Sequence, residues 1–195
     1  CPGGFVVAAA TEPGQVVVNG MSPSKRNSAY ANSGMVVSLD QSVYGNGVLD
    51  GLHYQSELES RAFEAGGGQY KAPAQRLTDF VAGRMSNTLP DCSYRPGLTS
   101  ADLSNVLPPQ ICKPLRSAFD FFGHSRMRGY LTDEAVVVGV ESRSSSPIRI
   151  LRCDDSLQSP SCAGLFPAGE GAGYAGGIVS AALDGLRVAE AVGRL

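Results

Sequence analysis

The residues best suited to chemistry lie in a glycine-rich segment, residues 164–178, which places five glycines within nine residues ahead of a helical pattern. Glycine at this density indicates a backbone that turns sharply and that another group approaches closely. A helix that begins here presents unpaired N–H groups and a partial positive charge. The segment therefore predicts a backbone-built site for an anion or a polar carbonyl group.

Three of these glycines, Gly171, Gly173 and Gly176, have the spacing of a dinucleotide-binding fingerprint. That fingerprint opens a βαβ unit and requires a second strand with an acidic residue about 20 positions further on. Here the candidate acid, Glu190, falls within the predicted final helix, so we expect a terminal strand–helix element and not the start of an ADP-binding unit. A glycine loop that only packs a helix onto a sheet is the alternative, and the carboxylate of Glu170 among the glycines favours a ligand.

The cysteines and histidines do not have the spacing of a metal site. Five cysteines occur without a CxxC pair: Cys1, Cys92, Cys112, Cys153 and Cys162. Their pattern predicts reduced thiols in an intracellular protein, with a redox disulfide between Cys153 and Cys162 as the alternative. His53 and His124 are isolated from each other and from potential ligands. We predict no metal, and no general acid–base pair or activated nucleophile is evident.

Composition excludes several classes of protein. Hydrophobic residues make up 43% of the sequence, which is enough for a folded core, and the formal net charge is −2. No basic run is longer than Lys25 and Arg26, so no nucleic-acid surface is predicted. No apolar run approaches the roughly 20 residues of a membrane span, and no signal peptide is visible. We therefore expect a soluble, intracellular protein.

The elements that would position the glycine segment mix strands and helices. Turn chemistry at Pro13 and Gly14 predicts a hairpin between residues 5–10 and 16–19. Apolar periodicity predicts helices over residues 55–65, 78–85 and 176–194, and a further helix from Pro109 to Gly123. Further strands are expected over residues 35–39, 135–140 and 147–151, and a short one entering the glycine segment. This order favours an α+β arrangement for residues 1 to about 150.

Four regions of the sequence resemble, in order, a family of uncharacterised FAD-dependent dehydrogenases from bacteria and plant plastid lineages. They are residues 1–4 (CPGG), 19–34 with its NGMS and ANSG segments, 139–149 (GVESRSSSPIR) and 164–178 (GLFPAGEGAGYAGGI). The fold of that family is similar to the glutathione-reductase class. The resemblance implies an α+β / α/β protein in which a mixed-sheet substrate or cap domain accompanies a Rossmann-like FAD-binding domain.

The resemblance also implies roles for individual residues. The flavin-binding set would be Ala168, Gly169, Glu170, Gly171, Gly176, Gly177 and Ile178. Glu170 would hydrogen-bond the ribityl chain of FAD, and the glycines beside it would let the backbone pass the cofactor. The N–H groups at the helix start would point at the pyrimidine carbonyl of the flavin, where a helix N-terminus stabilises negative charge by about 0.3–1 kcal/mol. Many members of that family carry Cys at the position of Ala168. This chain has no thiol there.

The substrate side is the second group of residues that the resemblance implies. Its candidates are Arg143, Ser144, Ser145, Asn32 and Arg26. Arg143 would place a cation near the flavin, and the alternative is a structural ion pair with Glu141 in a hairpin turn.

The resemblance finally implies a division of the chain and its partners. Residues 1–155 would be the substrate or cap domain, residues 156–195 would be the terminal strand, glycine loop and helix of the FAD-binding domain, and the ADP-binding part would lie upstream. The expected activity is hydride or electron transfer through non-covalent FAD. The partners would be a small-molecule substrate and NAD(P)H or another electron carrier, in the cytoplasm or a plastid. The alternative is a truncated, non-catalytic binding or scaffold module without FAD.

Overall fold

The computed structural model describes residues 1–194, which form two compact units. Unit 1 contains Cys1–Val43 and Tyr54–Ser142. Unit 2 contains Tyr44–His53 and Arg143–Leu195, of which Leu195 lies outside the described residues. The two units are described separately below.

Unit 1 begins with the predicted hairpin. Strand β1 (Phe5–Ala8) pairs antiparallel with β2 (Val18–Met21), with Phe5 opposite Met21 and Ala8 opposite Val18. The turn between them includes Gly14 at a φ of 76°, a conformation that glycine adopts without steric cost. The hairpin prediction is confirmed, with β1 ending two residues earlier than predicted and β2 displaced by two residues toward the C-terminus.

A second, mixed sheet of unit 1 is centred on β3 (Ala72–Arg76). This strand pairs parallel with β4 (Leu98–Ser100) and antiparallel with β5 (Val136–Val138). The mixed sheet confirms an α+β fold for this part of the chain, and β5 lies within the predicted strand 135–140. Strands β3 and β4 were not predicted, because Pro73 and the polar residues around it do not read as a strand. Proline has no N–H to donate to the sheet, but the oxygen of Pro73 still accepts a hydrogen bond from the N–H of Gly139.

The helices follow the predicted periodicity more closely than the strands do. Helix α1 is one turn, Gln41–Tyr44, and α2 spans Asp50–Ala65, starting a turn and a half earlier than predicted. Helix α3 (Leu77–Ala82) ends at Gly83, whose φ is 70°. Helix α4 (Pro109–Phe121) has proline in its first turn and continues as one turn of π-helix. Its predicted stop at Gly123 is therefore passed.

The hydrophobic core lies in unit 1. Its fully buried members include Phe80 and Leu103, and Phe80 meets Phe119 edge to face with ring centroids 5.9 Å apart. The other buried members are Val16, Val18, Ala62, Ala72, Leu77, Tyr94, Val106, Leu107, Cys112, Leu115 and Val140. Helix α3 packs against strands β3 and β5, and α4 packs against α3, so these elements bury their apolar faces together.

Unit 2 contains one complete helix, α5 (Ile178–Val192), together with the last residue of α1, the first turn of α2 (residues 50–53) and otherwise irregular chain. The helix confirms the prediction over residues 176–194. The strand expected at residues 147–151 and the short strand expected to enter the glycine segment belong to neither sheet of the described chain. Within residues 1–194, no helix is both long and apolar enough to cross a membrane.

One further strand prediction fails for an instructive reason. Residues 35–39 alternate between partly buried and exposed side chains, and Met35 and Val37 pack against the core. This alternation is that of a strand, but the segment has no ladder partner in the described chain. A period of two indicates which side chains face inward and does not supply a neighbouring strand.

Candidate functional site

The glycine loop of unit 2, defined here as residues 168–178, folds back on itself. The N–H of Tyr174 donates to the oxygen of Gly169 at 2.9 Å, and the N–H of Gly173 donates to the oxygen of Glu170 at 2.9 Å. Gly169 and Gly173 have φ values of 72° and 83°, which other residues rarely adopt. Two of the five glycines are therefore required by the turn itself.

A second segment of unit 2, residues 146–150, holds the loop from one side. The Ser146 hydroxyl donates to the oxygen of Gly171, and the Arg149 Nε donates to the oxygen of Gly173, both at 3.1 Å. The N–H of Ile150 donates to the oxygen of Ala172 at 3.1 Å. Three consecutive carbonyl groups of the loop are thus bound by the same segment. This pairing explains why residues 147–151 do not join the sheet of unit 1.

Three glycines of the loop are not required by the chain around them. A Cβ atom added at Gly171 or Gly176 would meet no atom within 4 Å, and one at Gly177 would only reach the hydroxyl of Ser180 at 3.9 Å. None of the three has a φ in the left-handed region, and Gly177 is extended at −177°. The absence of side chains at these positions keeps the surface of the loop open to close approach by another group.

The start of helix α5 adds hydrogen-bond donors to that open surface. Its N-terminal cap, Gly177, makes no side-chain capping bond, and in the described chain the N–H groups of Gly176, Gly177 and Ile178 donate to no protein acceptor. The Ile178 side chain is 91% exposed. These N–H groups carry the partial positive charge of the helix N-terminus.

Glu170 supplies an acceptor beside these donors. It is partly buried, and within residues 1–194 its carboxylate accepts no hydrogen bond from the protein. A carboxylate in this position is chemically suited to accept hydrogen bonds from hydroxyl groups. The loop thus presents N–H donors for a polar carbonyl, an acceptor for hydroxyls, and glycine surface for a flat group. The donor and acceptor set fits a flavin with its ribityl chain.

A buried ion pair lies behind the loop. Asp184 of α5 accepts from both terminal nitrogens of Arg152, at 2.6 and 2.9 Å, and the two side chains are 8% and 5% exposed. The second carboxylate oxygen also accepts from the N–H of Gly169 at 2.8 Å. The Arg152 hydrogen bonds, chiefly, with the Gly169 N–H adding to them, lower the pKa of Asp184 to about 2. The pair is therefore charged at neutral pH.

The substrate-side candidates fall in different units. Arg143, Ser144 and Ser145 open the second segment of unit 2 and directly precede Ser146, which holds Gly171. Arg26 is exposed in unit 1, with φ at 47° in a turn closed by its own N–H and the oxygen of Pro23.

Asn32 lies at the meeting point of three segments of unit 1, residues 1–4, 19–22 and 31–34. Its backbone N–H and C=O bond the oxygen and amino group of Cys1, at 3.2 and 2.9 Å. Its side-chain amide donates to the oxygen of Phe5, and a Cβ at Gly4 or Gly20 would come within 2.3 Å of that side chain. Both glycines are therefore needed to admit Asn32, which gives this residue a structural role in the hairpin.

The block at residues 139–142 joins the same region of unit 1. The oxygen of Val140 accepts from the N–H of Val18 at 2.9 Å, and a Cβ at Gly34 would lie 2.9 Å from a carboxylate oxygen of Glu141. Burial raises the pKa of Glu141. Sequence blocks up to 120 residues apart thus meet around the hairpin.

The described residues contain neither a cluster of candidate metal ligands nor a disulfide. Residues 1–194 contain no group of three His, Cys, Asp or Glu side chains that could hold a metal ion. All five cysteines are free thiols, including the candidate pair Cys153 and Cys162.

A protein-family comparison matches residues 1–144, about three quarters of the chain, to the model described as FAD-dependent protein, C-terminal domain-like. The chain belongs to this family. The match covers all of unit 1 together with Tyr44–His53 of unit 2, and it ends two residues after Ser142. The glycine loop lies beyond the matched residues.

The similarity to a curated relative extends further along the chain. An uncharacterized protein of Clostridium beijerinckii is 44% identical over 193 residues, which are 97% of this chain and 36% of that protein. The chain thus spans about a third of the length of the relative. Because nearly the whole chain aligns, the relative also shares most of unit 2.

Several residues that build the site were not singled out from the sequence. They are Ser146, Arg149, Arg152, Tyr174 and Asp184. The sequence did carry a signal for Asp184, because this acid lies among apolar and small residues of the helix, and an acid requires a partner when it is buried. Its partner Arg152, 32 positions earlier, could not be identified by any local pattern.

Proposed function

We propose that the chain is the C-terminal portion of an FAD-dependent oxidoreductase that transfers hydride or electrons through non-covalently bound FAD. Family membership supports a flavoprotein, and one observation carries the assignment of the loop. Gly171, Gly176 and Gly177 leave open surface that the chain itself does not require, beside N–H groups without a protein acceptor. Close approach of a planar ligand accounts for both features.

In this proposal each part of the loop has a defined task. Glu170 accepts hydrogen bonds from ribityl hydroxyls, and Gly169 and Gly171 let the backbone pass the cofactor. The N–H groups of Gly176, Gly177 and Ile178 point at the electron-rich edge of the flavin, and Ala168 packs at the loop entrance. FAD supplies the redox chemistry, while the protein supplies position and electrostatics. A helix N-terminus contributes about 0.3–1 kcal/mol to stabilising negative charge there.

The substrate side is assigned to the segment that leads into the loop. Arg143, Ser144 and Ser145 supply a cation and hydroxyl donors toward a small-molecule substrate, with NAD(P)H or another electron carrier as the redox partner. Arg26 and Asn32 of unit 1 are the further candidates, and the amide of Asn32 is already committed to Phe5. We assign Asn32 a structural role within the hairpin of unit 1.

We further propose that residues 1–155 act as a substrate or cap domain and residues 156–195 complete an FAD-binding domain of a longer polypeptide. The exposed face of α5 supports this division. Val179, Leu183 and Leu186 are 72, 58 and 62% exposed on a helix whose opposite side buries Val188. An apolar helix face of this size is expected to pack on another element. The additional length of the C. beijerinckii relative offers such an element.

The experiment compares glycine variants of the full-length protein, the longer polypeptide that is proposed to contain this chain. The wild type is expected to purify with bound FAD and the visible flavin spectrum. Gly171→Ala is expected to lower FAD affinity at least tenfold, because its methyl group meets only the ligand. Gly193→Ala, at the other end of α5 with φ at −68° and its nearest atom at 3.5 Å, is the matched control and should bind FAD normally.

Two outcomes would reject the proposal. A folded, colourless wild type that takes up no added FAD would favour a binding or scaffold module. Normal FAD affinity in both Gly171→Ala and Gly176→Ala would show that the glycine loop is not part of the flavin site. Circular dichroism of each variant establishes that the fold is intact.

A further inference from the structure

The ion pair between Arg152 and Asp184 does more than neutralise two buried charges, because each partner also binds the loop backbone. Arg152 donates to the oxygen of Pro167 at 2.8 Å, and Asp184 accepts from the N–H of Gly169 at 2.8 Å. These two backbone groups flank Ala168 on either side. The pair therefore fixes the orientation of both peptide groups where the chain enters the glycine loop.

Arg152 also contacts Tyr174, in the middle of the loop. Its guanidinium lies 3.7 Å from the centroid of the Tyr174 ring, within the range of a cation–π contact. The Tyr174 hydroxyl accepts from the N–H of Arg152 at 3.1 Å and donates to the oxygen of Ile150 at 3.0 Å. One side chain thus contacts the entrance of the loop and its middle residue Tyr174.

Asp184 connects this arrangement to helix α5. It lies six residues after Ile178, so the Cα atoms of the two residues are about 9 Å apart along the helix axis. Binding of the Gly169 N–H to this carboxylate sets the distance between the loop entrance and the helix start. The N–H groups of residues 176–178 are then held in a fixed orientation relative to the loop entrance.

We propose that Arg152 and Asp184 are positioning residues that hold the glycine loop in the conformation that receives its ligand. The inference rests on the proposed function for the identity of that ligand, a flavin, and on the geometry alone for the positioning. Breaking the pair leaves a buried charge and frees two backbone groups, so the loop is expected to open more often.

The first test measures amide hydrogen exchange of residues 168–178 in the 195-residue chain. Asp184→Asn is expected to accelerate exchange in the loop at least tenfold, equivalent to about 1.4 kcal/mol of lost protection. The matched control is Asp79→Asn in unit 1, where a carboxylate that is 13% exposed pairs with Arg84 at 2.6 Å. That variant removes a carboxylate whose partner Arg84 is 68% exposed and belongs to unit 1, and it should leave loop exchange unchanged.

A double variant separates positioning from the general cost of buried charge. Arg152→Met with Asp184→Leu removes both charges and keeps apolar volume, and such replacements often recover global stability. Positioning predicts that urea unfolding recovers while loop exchange stays fast, because the bonds to Pro167 and Gly169 are still missing. Slow, wild-type loop exchange in the double variant would overturn the inference and leave the pair a purely structural role.

The second test uses the full-length protein and measures FAD affinity and the flavin reduction potential. Asp184→Asn is expected to weaken FAD binding at least tenfold and to shift the potential, while Asp79→Asn changes neither. A wild type that binds no FAD rejects the proposed function, and the exchange experiment still decides the positioning. A wild type that binds FAD together with an unaffected Asp184→Asn rejects the inference alone.

Discussion

Gly173 and Gly171 are two residues apart in the glycine loop, and the structure assigns them opposite responses to the same substitution. At Gly173 the φ is 83°, and an added Cβ would lie 2.5 Å from the oxygen of Ile148 and 3.0 Å from the Cα of Arg149. Both obstacles are backbone atoms and cannot rotate away. At Gly171 the φ is not left-handed and the added Cβ would meet nothing within 4 Å.

The expected magnitudes follow from these two geometries. Gly173→Ala incurs about 1–2 kcal/mol for the left-handed conformation and about 1–3 kcal/mol for the backbone displacement, in total about 2–5 kcal/mol. Gly171→Ala lowers the conformational entropy of the unfolded chain and is expected to change stability by less than about 1 kcal/mol, with a stabilising sign.

Urea unfolding of the 195-residue chain, combined with hydrogen exchange in residues 168–178, distinguishes the two variants. Gly173→Ala should lower the unfolding midpoint and accelerate exchange in the loop, and Gly171→Ala should do neither. Equal stability of Gly173→Ala and wild type would refute the described close approach of residues 148–149 to the loop. A comparable loss in Gly171→Ala would refute the claim that its surface is open.

Two further predictions concern charge and buried polar groups. Because the pKa of Asp184 is lowered to about 2 from 3.8, its contribution of about 2 kcal/mol is complete above pH 4 and is lost as the pH falls toward 2. The difference in unfolding free energy between wild type and Asp184→Asn should shrink over that window, and a constant difference would contradict the assignment. Gln75→Leu removes the acceptor of the Leu103 N–H and the donor to the Arg84 oxygen, both at 2.8 Å, and should lower the unfolding free energy of unit 1 by about 2–4 kcal/mol in urea. Glu57→Gln, at an exposed ion pair, is its control and should cost less than about 1 kcal/mol.

The helices and the hairpin were predictable because their signals are local. Apolar spacing identified α2, α4 and α5, and Pro109 in the first turn placed the start of α4. Turn chemistry around Gly14 identified the hairpin. Each of these signals lies within the residues that form the element, so no distant partner is needed to read it.

The central strand β3 shows where local reading fails. Its sequence contains Pro73 and the polar Gln75, yet Gln75 is completely buried. The strand exists because β4 and β5 supply partners on both edges and because Leu103 and Arg84 satisfy the Gln75 side chain. Tertiary context overrides a weak β-propensity in such a case.

The candidate site divides in the same way. By itself the sequence determined that residues 168–178 form a glycine-rich turn into a helix, because glycine density and helical periodicity are properties of adjacent residues. Only the tertiary structure decided which glycines the fold requires, and that Arg152 and Asp184 hold the loop from behind. The physical reason is that a close approach or a buried ion pair depends on the positions of groups far apart along the chain, and no local pattern contains those positions.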